Sequence, residues 1–155
     1  MTSDQPPATN HQPPSCCDIW TKFDHANGEI ISTAHWSVVI RRKQVTPGSL
    51  ILICKRHAES VGALTADEGA DLPVAAKKLE QTLRAAFNPD KLNYLALMMV
   101  DSHLHFHVIP RYERERTLHG YTFRDPNWGG PPRLDVETPA DDVVDAILRD
   151  LRAAK

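Results

Sequence analysis

Three histidines alternate with apolar residues at positions 103–107, where the chain reads His-Leu-His-Phe-His. Side chains on a β-strand point alternately to its two faces, so a strand here presents all three imidazoles on one face. Leu104 and Phe106 then point to the other face, toward a core. Packing alone gives no reason to select imidazole at every position of a face. The pattern therefore indicates a reactive site lined by His103, His105 and His107.

Imidazole can act as a metal ligand, a general acid or base, or a nucleophile. A zinc site is one alternative, because alternate residues on one strand face can converge on an ion. However, two residues along a strand span ~6.5–7 Å, so three histidines in line cover ~13 Å and do not easily reach one ion. Asp101 is the only carboxylate close in sequence that could orient the rings. Nucleophilic attack on phosphorus fits better, because the central imidazole can bond to phosphorus while its neighbours donate to phosphate oxygens.

The composition limits which classes of ligand and which cellular settings such a site could have. The chain has 155 residues, enough for one domain with a sizeable core, and a formal net charge of -2. That charge excludes a global attraction to nucleic acid or to an anionic membrane, so an anionic substrate must be bound by a local site. No apolar run approaches the ~20 residues that a membrane span needs. Three cysteines, with Cys16 and Cys17 adjacent, make no disulfide framework and favour a reducing, cytoplasmic setting.

The sequence predicts three parts. Residues 1–15 hold four prolines and little that could pack, which is typical of a disordered leader. Residues 16–112 form the predicted catalytic domain. Residues 113–155 begin with a polar, irregular stretch and are predicted to end in a helix that packs on that domain.

Local patterns predict the strands that position the histidines. Trp36–Arg42 and Ser49–Cys54 are rich in β-branched and apolar residues and are predicted to pair as a hairpin. Thr46-Pro47-Gly48-Ser49 between them fits a type II turn, with Pro at the second position and Gly accepting a positive φ at the third. The apolar run Leu92–Val100 predicts a strand buried on both faces, followed at once by the histidine strand.

Two helices are also predicted. The first begins at Thr65, which matches a capping box with Glu68, and it stops at Asn88-Pro89. Its apolar stripe consists of Leu72, Ala76, Leu79, Leu83 and Ala86. The second helix has Pro139 at its first helical position. Its apolar stripe consists of Val143, Val144, Ile147, Leu148 and Leu151.

The segment His103–Ile109 resembles the motif of the histidine triad (HIT) superfamily, in which apolar residues separate and follow three histidines. The resemblance continues through Pro110-Arg111-Tyr112. Upstream, Val45–Leu52 is similar to the family's Pro-Gly turn and hairpin strand, and Lys55–Ser60 is similar to its Pro-Lys-Arg-His region. The similar segments together cover about Trp20 to Tyr112.

This resemblance implies an α+β fold, with a HIT-like antiparallel sheet of about five strands, a main helix and a C-terminal helix. It also implies a homodimer and an enzyme that hydrolyses or transfers nucleotides at the α-phosphate through a nucleotidyl-histidine intermediate. By position, His105 is the implied nucleophile, His107 assists at the phosphate and leaving group, and His103 orients the central ring. The implied substrates are dinucleoside polyphosphates or nucleoside phosphoramidates, and no cofactor is expected.

Some positions depart from the family's pattern. Met98–Ser102 replaces the usual Gly-Gln-Ser/Thr segment, Arg41 stands where Asp or Asn commonly contacts the ribose, and Ser49 replaces a His. The shortened loop and Asp125–Gly129 resemble a branch with an Asp-Pro-x-Trp-Gly element after the triad. These departures leave open a nucleotide-binding module with weak catalysis. A metal-dependent hydrolase that uses the same histidines is a third hypothesis.

Six residues are predicted to contact the substrate. The resemblance implies that Ile19 and Trp20 flank the base. We expect Ser102 to supply a hydroxyl, Arg111 to contact outer phosphates and Trp128 to cover the site. The sixth residue is Arg41, in the ribose region. Some relatives bind structural zinc through Cys-x-x-Cys and histidines, whereas this chain offers only Cys17 and His57 in suitable places. No metal site is therefore predicted.

Overall fold

The computed structural model describes residues 18–155, so the predicted leader and Cys16-Cys17 lie outside the described residues. In chain order, the elements are α1 (Ile19–Lys22), α2 (His25–Gly28), β1 (Glu29–Ser32), β2 (Trp36–Ile40), β3 (Leu50–Cys54), a 3-10 turn (Val61–Ala63), α3 (Ala66–Ala86), β4 (Lys91–Leu95), β5 (His105–Arg111), β6 (Arg116–Leu118), β7 (Tyr121–Phe123) and α4 (Asp141–Ala154). Five antiparallel strands form one sheet in the order β1-β2-β3-β5-β4. The expected α+β fold, with a main helix α3 and a C-terminal helix α4, is confirmed.

The two faces of the sheet have different partners, because successive side chains of each strand alternate. On one face, Trp36, Val38 and Leu52 belong to the main core, which also contains Leu79 of α3 and Ile147 of α4. The other face carries a smaller apolar cluster in which α1 covers the sheet. Its buried members are Ile19, Val39, Ile51 and Ile53. Because both faces are covered, every residue of β2 and β3 is buried.

The predicted hairpin of β2 and β3 is present, and its turn has the predicted geometry. The Ser49 amide donates to the Thr46 carbonyl over 3.2 Å, and Gly48 has φ +85°, as a type II turn requires at its third position. Gly48 also faces α3 closely. A Cβ atom there would lie 2.6 Å from Leu83 Cδ2 and 3.0 Å from Phe87 Cδ2. The turn therefore requires glycine for its backbone and for its packing.

Helix α3 begins and ends as the sequence predicts. Thr65 accepts a hydrogen bond from the Glu68 amide, and the Glu68 carboxylate accepts one from the Thr65 amide, which completes the capping box. After the last residue of the helix, Asn88 adopts φ +46° and donates to the Arg84 carbonyl, which closes the C-terminal turn. In the apolar stripe, Leu79 and Leu83 are buried as predicted, but Ala75 is buried in place of Ala76.

The segment Leu92–Val100 is not the doubly buried strand that its apolar run predicted. Strand β4 ends at Leu95, lies at an edge of the sheet beside β5 and has no fully buried residue. The chain then turns at Met98, which has φ +50°, and leaves Met99 83% and Val100 85% exposed. The prediction was wrong because an apolar run does not specify how many neighbours a strand has.

The region after Arg111 is more regular than predicted. Strands β6 and β7 pair as a hairpin, with Leu118 opposite Tyr121. His119 and Gly120 connect them with φ +50° and +79°. Positive φ at both central positions is the requirement of a type I′ turn, whose twist matches that of the paired strands.

Helix α4 begins at Asp141, after Pro139 and the capping residue Ala140, so Pro139 is not its first helical residue. Its predicted apolar stripe is largely buried, and the helix packs on α3. At its end, Arg152 Nη2 donates to the carbonyls of Asn27 (2.7 Å) and Glu29 (3.0 Å), and Lys155 Nζ donates to the carbonyl of Ile30 (3.2 Å). The last turn of α4 therefore covers β1, the other edge of the sheet. Within residues 18–155, no helix has both the length and the apolar character of a membrane span.

Candidate active site

Strand β5 places two of the three histidines on the sheet face that α1 covers. His105 is level with Ile53 of β3, and His107 is level with Ile51. His103 lies just before the strand and is fully buried. The ring of Phe23, which follows α1, packs on both strand histidines, with centroid distances of 5.7 Å to His105 and 6.2 Å to His107.

The hydrogen bonds of His105 fix its tautomer. His105 Nδ1 lies 2.7 Å from the carbonyl oxygen of His103. A carbonyl oxygen can only accept, so Nδ1 carries the proton. In the neutral ring, Nε2 then has its lone pair free to act as a base or a nucleophile. The main chain of one triad residue thus orients the ring of the next.

His103 is held by a second chain of contacts. Its Nε2 donates to the Cys54 carbonyl over 2.6 Å, and its Nδ1 lies 3.3 Å from His57 Nδ1. Burial lowers the pKa of His103, which favours the neutral ring. With Nε2 protonated, the neutral ring can only accept at Nδ1, so His57 is the donor in that contact. The other ring nitrogen of His57 lies 3.2 Å from a Glu59 carboxylate oxygen.

The environment of His107 lowers its pKa, so the ring is not protonated at neutral pH as a general acid would need to be. Burial, followed by the neighbouring His105, Arg41 and Lys22, lowers the pKa of His107 to about 4. Its buried Nδ1 has no hydrogen-bond partner within the described part of the chain. The low pKa keeps the ring neutral at pH 7, so one ring nitrogen is a donor and the other an acceptor.

His105 and His107 open on a cavity of about 440 Å³. Phe23 and Leu134 contribute apolar surface, and the segment Leu97–Val100 forms a further apolar wall. A cationic part is formed by Lys22, Arg41, Arg42 and Lys43. A cavity of this size with apolar walls and few converging polar groups is typical of a small-molecule site.

Of the six predicted substrate-binding residues, the structure places only Arg41 in the wall of this cavity. Ile19 is buried beneath the sheet face, and Trp20 packs edge-on against His103 with centroids 5.7 Å apart. Ser102 is exposed beside the loop and does not line the cavity. Trp128 lies over the ammonium of Lys91, 4.1 Å from nitrogen to ring centroid, and thus anchors its loop at β4. Trp128 therefore does not cover the site.

The prediction that Arg111 contacts outer phosphates is corrected by its surroundings. Arg111 and Asp125 form an ion pair in which each side chain is only 2% exposed. The guanidinium also donates to the Asn93 side chain and to the carbonyls of Asn127 and Gly130. These contacts occupy all five N–H donors of the side chain. Arg111 therefore stabilises the loop after β7 and has no donor left for a ligand.

Several residues of the site were not predicted from the sequence. Lys22 and Phe23 line the cavity because α1 lies across the histidine face, and Leu134 reaches it from the loop before α4. His57 contacts the triad although it lies 46 positions from His103. The similarity of Lys55–Ser60 to a family region was the available indication for His57. No local pattern indicated the other three.

No group of three or more His, Cys, Asp or Glu residues within residues 18–155 is arranged to hold a metal ion. His57 and His103 face each other as a pair. Cys17, the other residue that the sequence offers for a structural zinc site, lies outside the described residues.

Fold and site together define an α+β protein with a histidine triad, two of whose members line a cavity. A family model described as the HIT domain matches residues 26–114, which is more than half of the chain. The chain therefore belongs to the HIT family, as the motif resemblance predicted. Membership places it among proteins of a nucleotide-binding, hydrolase type. The comparison with curated proteins gives no match.

Solved structures of HIT proteins share the fold. A histidine triad protein from Sinorhizobium meliloti is 22% identical with a TM-score of 0.67, covering 87% of this chain and 94% of that one. A hypothetical histidine triad nucleotide-binding protein from Sulfolobus tokodaii is 21% identical with a TM-score of 0.63, covering 89% of both chains. A member of the HIT family from Bacillus subtilis is 26% identical with a TM-score of 0.52, covering 81% of this chain and 83% of that one.

Proposed function

We propose that the protein is a nucleotide hydrolase or nucleotidyl transferase that cleaves at the α-phosphate, with His105 as its nucleophile. The observation that carries this proposal is the 2.7 Å contact between His105 Nδ1 and the His103 carbonyl. That contact keeps the proton on Nδ1 and leaves a lone pair on Nε2 of a ring that lines the cavity. A nucleophile of fixed tautomer next to a ligand site is what covalent catalysis requires.

The proposed reaction has two displacements at phosphorus. In the first, Nε2 of His105 forms a bond to the α-phosphorus, and the bond from phosphorus to the leaving oxygen or nitrogen breaks. The leaving group keeps the electron pair of that bond and takes up a proton from solvent. In the second, the oxygen of a water molecule forms a bond to phosphorus and returns a proton to solvent. The nitrogen–phosphorus bond breaks, which releases a nucleoside monophosphate and restores the imidazole. An acceptor other than water gives transfer in place of hydrolysis.

Charge compensation in this reaction falls to the cations rather than to His107. With its pKa at about 4, His107 is neutral at pH 7 and assists as a hydrogen-bond donor to a phosphate oxygen or the leaving group. Arg41 lines the same cavity and contributes positive charge, whereas Lys22, which also lines it, forms an ion pair with Asp101. Fixed donors and cations directed at the phosphoryl oxygens supply most of the stabilisation in phosphoryl transfer.

Covalent labelling tests the proposal. The protein is incubated with diadenosine polyphosphates or adenosine phosphoramidates that carry a label on the α-phosphorus, then quenched in denaturant. We expect acid-labile label on the wild type and none on His105→Ala with unchanged circular dichroism. His119→Ala is the matched control, because His119 pairs with Asp150 at the surface. It should be labelled like the wild type.

The other hypotheses predict different results in the same assay. Nucleotide binding without label or turnover would identify a binding module with weak catalysis. Turnover that chelation abolishes and added metal restores would identify a metal-dependent hydrolase. Labelling of His105→Ala at the wild-type level would refute the assignment of the nucleophile.

We further propose that two copies pair through β4. This strand is an edge of the sheet, and the exposed Met99 and Val100 follow it closely. An edge strand with neighbouring apolar side chains is a site at which another strand can add. Sedimentation should show a dimer, and Val100→Asp with Met99→Asp should shift it toward monomer. A monomeric wild type at micromolar concentration would refute the pairing.

A further inference from the structure

Helix α1 and the residue after it place aromatic rings against all three histidines of the triad. Trp20 lies in α1 and Phe23 follows it three positions later, so both side chains project from the same side of the turn. The Phe23 ring packs on His105 and His107. The Trp20 ring packs on the remaining histidine, His103, with ring centroids 5.7 Å apart and ring planes at 84°. Such edge-to-face pairs are a favourable arrangement of aromatic rings.

Trp20 is also in contact with a polar cluster that is anchored in the sheet. Its ring packs on the His25 ring, with centroids 4.9 Å apart and planes at 80°. His25 Nε2 lies 2.6 Å from a Glu29 carboxylate oxygen and 3.1 Å from the Ser37 hydroxyl. Ser37 is fully buried in β2, and its hydroxyl donates to the same Glu29 oxygen. The position of Trp20 is therefore tied to β2 as well as to α1, which is a single helical turn.

Trp20 separates His103 from an open cavity of about 340 Å³ beside β1 and β2. The residues that line this cavity are Trp20, His25, Glu29, Ser32, Ser37 and Lys55. His103 is fully buried and does not line it, although the Trp20 ring contacts His103 directly. Replacing the indole by the methyl group of alanine would therefore open His103 to water from this cavity.

The charge of the His103 ring depends on groups from each segment packed around it. Burial is the main influence and lowers its pKa. The hydrogen bond to the Cys54 carbonyl raises the pKa, and the imidazoles of His57 and His105 lower it. Asp101, in the loop before β5, raises it. Beyond the Trp20 ring, the cavity adds one imidazole, one carboxylate and one ammonium.

A protonated His103 would lose one of its two hydrogen bonds. In the neutral ring, Nε2 donates to the Cys54 carbonyl and Nδ1 accepts from His57 Nδ1 over 3.3 Å. An imidazolium has N–H groups at both nitrogens, so His103 could no longer accept from His57. The segment that carries His57 would then move away from the His103 ring. Exclusion of water by Trp20 therefore preserves the contact between the two imidazoles.

The same segment holds the carbonyl that fixes the nucleophile. The His103 carbonyl accepts from His105 Nδ1. In the same peptide group, the Leu104 amide donates over 2.6 Å to the carbonyl of Ala58, which follows His57 directly. A shift of His57 and Ala58 therefore turns this peptide group and moves its carbonyl away from His105 Nδ1. The proton of His105 would then be distributed over both ring nitrogens, and Nε2 would be free in only part of the molecules.

We propose that Trp20 is a positioning residue, which excludes water from the His103 ring and thereby keeps His105 in the tautomer that leaves Nε2 free. Trp20 does not line the cavity on which His105 and His107 open, so it acts through His103 and not on the substrate. The role of Trp20 in a reaction rests on the proposed function. Its effect on the two rings does not.

Nuclear magnetic resonance of the ring nitrogens tests the proposal without any nucleotide. In protein with isotope-labelled histidine, a nitrogen that carries a proton is distinguished from one that does not, which reports the tautomer and charge of each ring. In the wild type, we expect the proton on Nδ1 of His105 and on Nε2 of His103. In Trp20→Ala, His105 should show both tautomers, and the pKa of His103 should rise toward its ordinary value.

Two further variants separate positioning from a general loss of packing. Trp20→Phe keeps an aromatic ring against His103 and should retain most of the wild-type tautomer of His105. Trp128→Ala removes the same kind of side chain from a loop where it packs on Lys91, so both rings should stay as in the wild type. If Trp20→Ala does not fold, Trp20→Leu is measured in its place, with the same change expected.

Turnover of a nucleotide substrate links the tautomer to catalysis. Trp20→Ala should lower kcat by about 10–100-fold, because misplacing a reacting group by about 1 Å can cost about 100-fold. KM should change little, since Trp20 does not line the cavity of the site. Circular dichroism should be unchanged, because the main core lies on the other face of the sheet and does not include Trp20.

A wild-type tautomer of His105 in folded Trp20→Ala overturns the positioning role, and so does an equal change in Trp128→Ala. Covalent labelling of His105 tests the proposed function separately. Labelling of the wild type together with an unchanged tautomer in Trp20→Ala removes the role of Trp20 alone. A changed tautomer without any labelling of the wild type removes the nucleophilic mechanism alone.

Discussion

Arg111→Met should destabilise the protein strongly without acting on the ligand site. The substitution keeps the aliphatic part of the side chain and removes the cation that faces Asp125. Both side chains of this pair are 2% exposed, so water cannot take the place of the missing guanidinium. The carboxylate of Asp125 would be left buried without its counter-charge. Two main-chain carbonyls and the Asn93 side chain would each lose a donor as well.

The expected loss of unfolding free energy is about 3–5 kcal/mol, the usual cost of removing one partner from a buried ion pair. Domains of ordinary stability have about 5–15 kcal/mol in total, so this loss is a large share. For a domain of this length, 1 kcal/mol corresponds to about 2–4 °C, which predicts a melting temperature lower by roughly 6–20 °C. Pairing Arg111→Met with Asp125→Leu should recover part of the loss, because no unpaired charge then remains.

Urea denaturation of the two single variants and the double variant measures these free energies. The interaction energy from the double-mutant cycle should exceed about 2 kcal/mol, since the two residues share one contact network. Nucleotide affinity of folded Arg111→Met should equal that of the wild type. A loss of less than about 1 kcal/mol, the range of an exposed pair, would refute the reasoning. A fall in nucleotide affinity at unchanged stability would instead restore the phosphate-binding role.

Three further predictions concern the triad and the hairpin. His57→Ala should lower kcat with little change in KM, because the donor to His103 is lost. His57→Asn keeps a donor at the same place and should recover much of the rate. Equal kcat values for His57→Ala and the wild type would refute the positioning role of His57. The pKa of His107 is lowered from 6.5 in a free ring to about 4 in the folded chain. Between pH 6.5 and 4, the His107 ring is therefore protonated in the unfolded chain but not in the folded one. The free energy of unfolding should consequently fall as the pH decreases from 6.5 to 4. Urea titrations at several pH values should show a shallower decrease for His107→Asn. Gly48→Ala should cost about 2–4 kcal/mol, from the positive φ and the contact with α3. Gly120→Ala, with a similar φ but open space around it, should cost only about 1–2 kcal/mol in the same denaturation assay.

Local sequence patterns predicted most of the fold. The Pro47-Gly48 turn, the capping box at Thr65 and the stripe of α4 are each determined within a few residues, and the structure contains all three. The run Leu92–Val100 was interpreted wrongly because its burial depends on where β4 lies in the sheet. The hairpin at His119-Gly120 was missed, although a two-residue turn flanked by Thr and aromatic residues was a visible indication.

The sequence predicts the part of the site that lies on a single strand. The motif identified the three histidines, and the two that the strand carries do line a cavity. The surroundings of the triad depend on contacts between distant segments. Arg111 is paired by a carboxylate 14 positions away, and His57 reaches His103 across 46 positions. Sequence spacing cannot specify such contacts, because only the folded chain brings those segments together.

The last turn of α4 sets an upper limit on how many copies can join in one continuous sheet. Arg152 and Lys155 occupy main-chain carbonyls at and beside β1, which an added strand would need. Within the five-stranded sheet, growth by backbone pairing is therefore open only at β4. If two copies pair through β4 about a twofold axis, the joined sheet has the β1 strand of one copy at each end, and both β1 strands are covered by α4. In such a dimer, Arg152 and Lys155 would end strand pairing at β1, so further copies could not add to the sheet there.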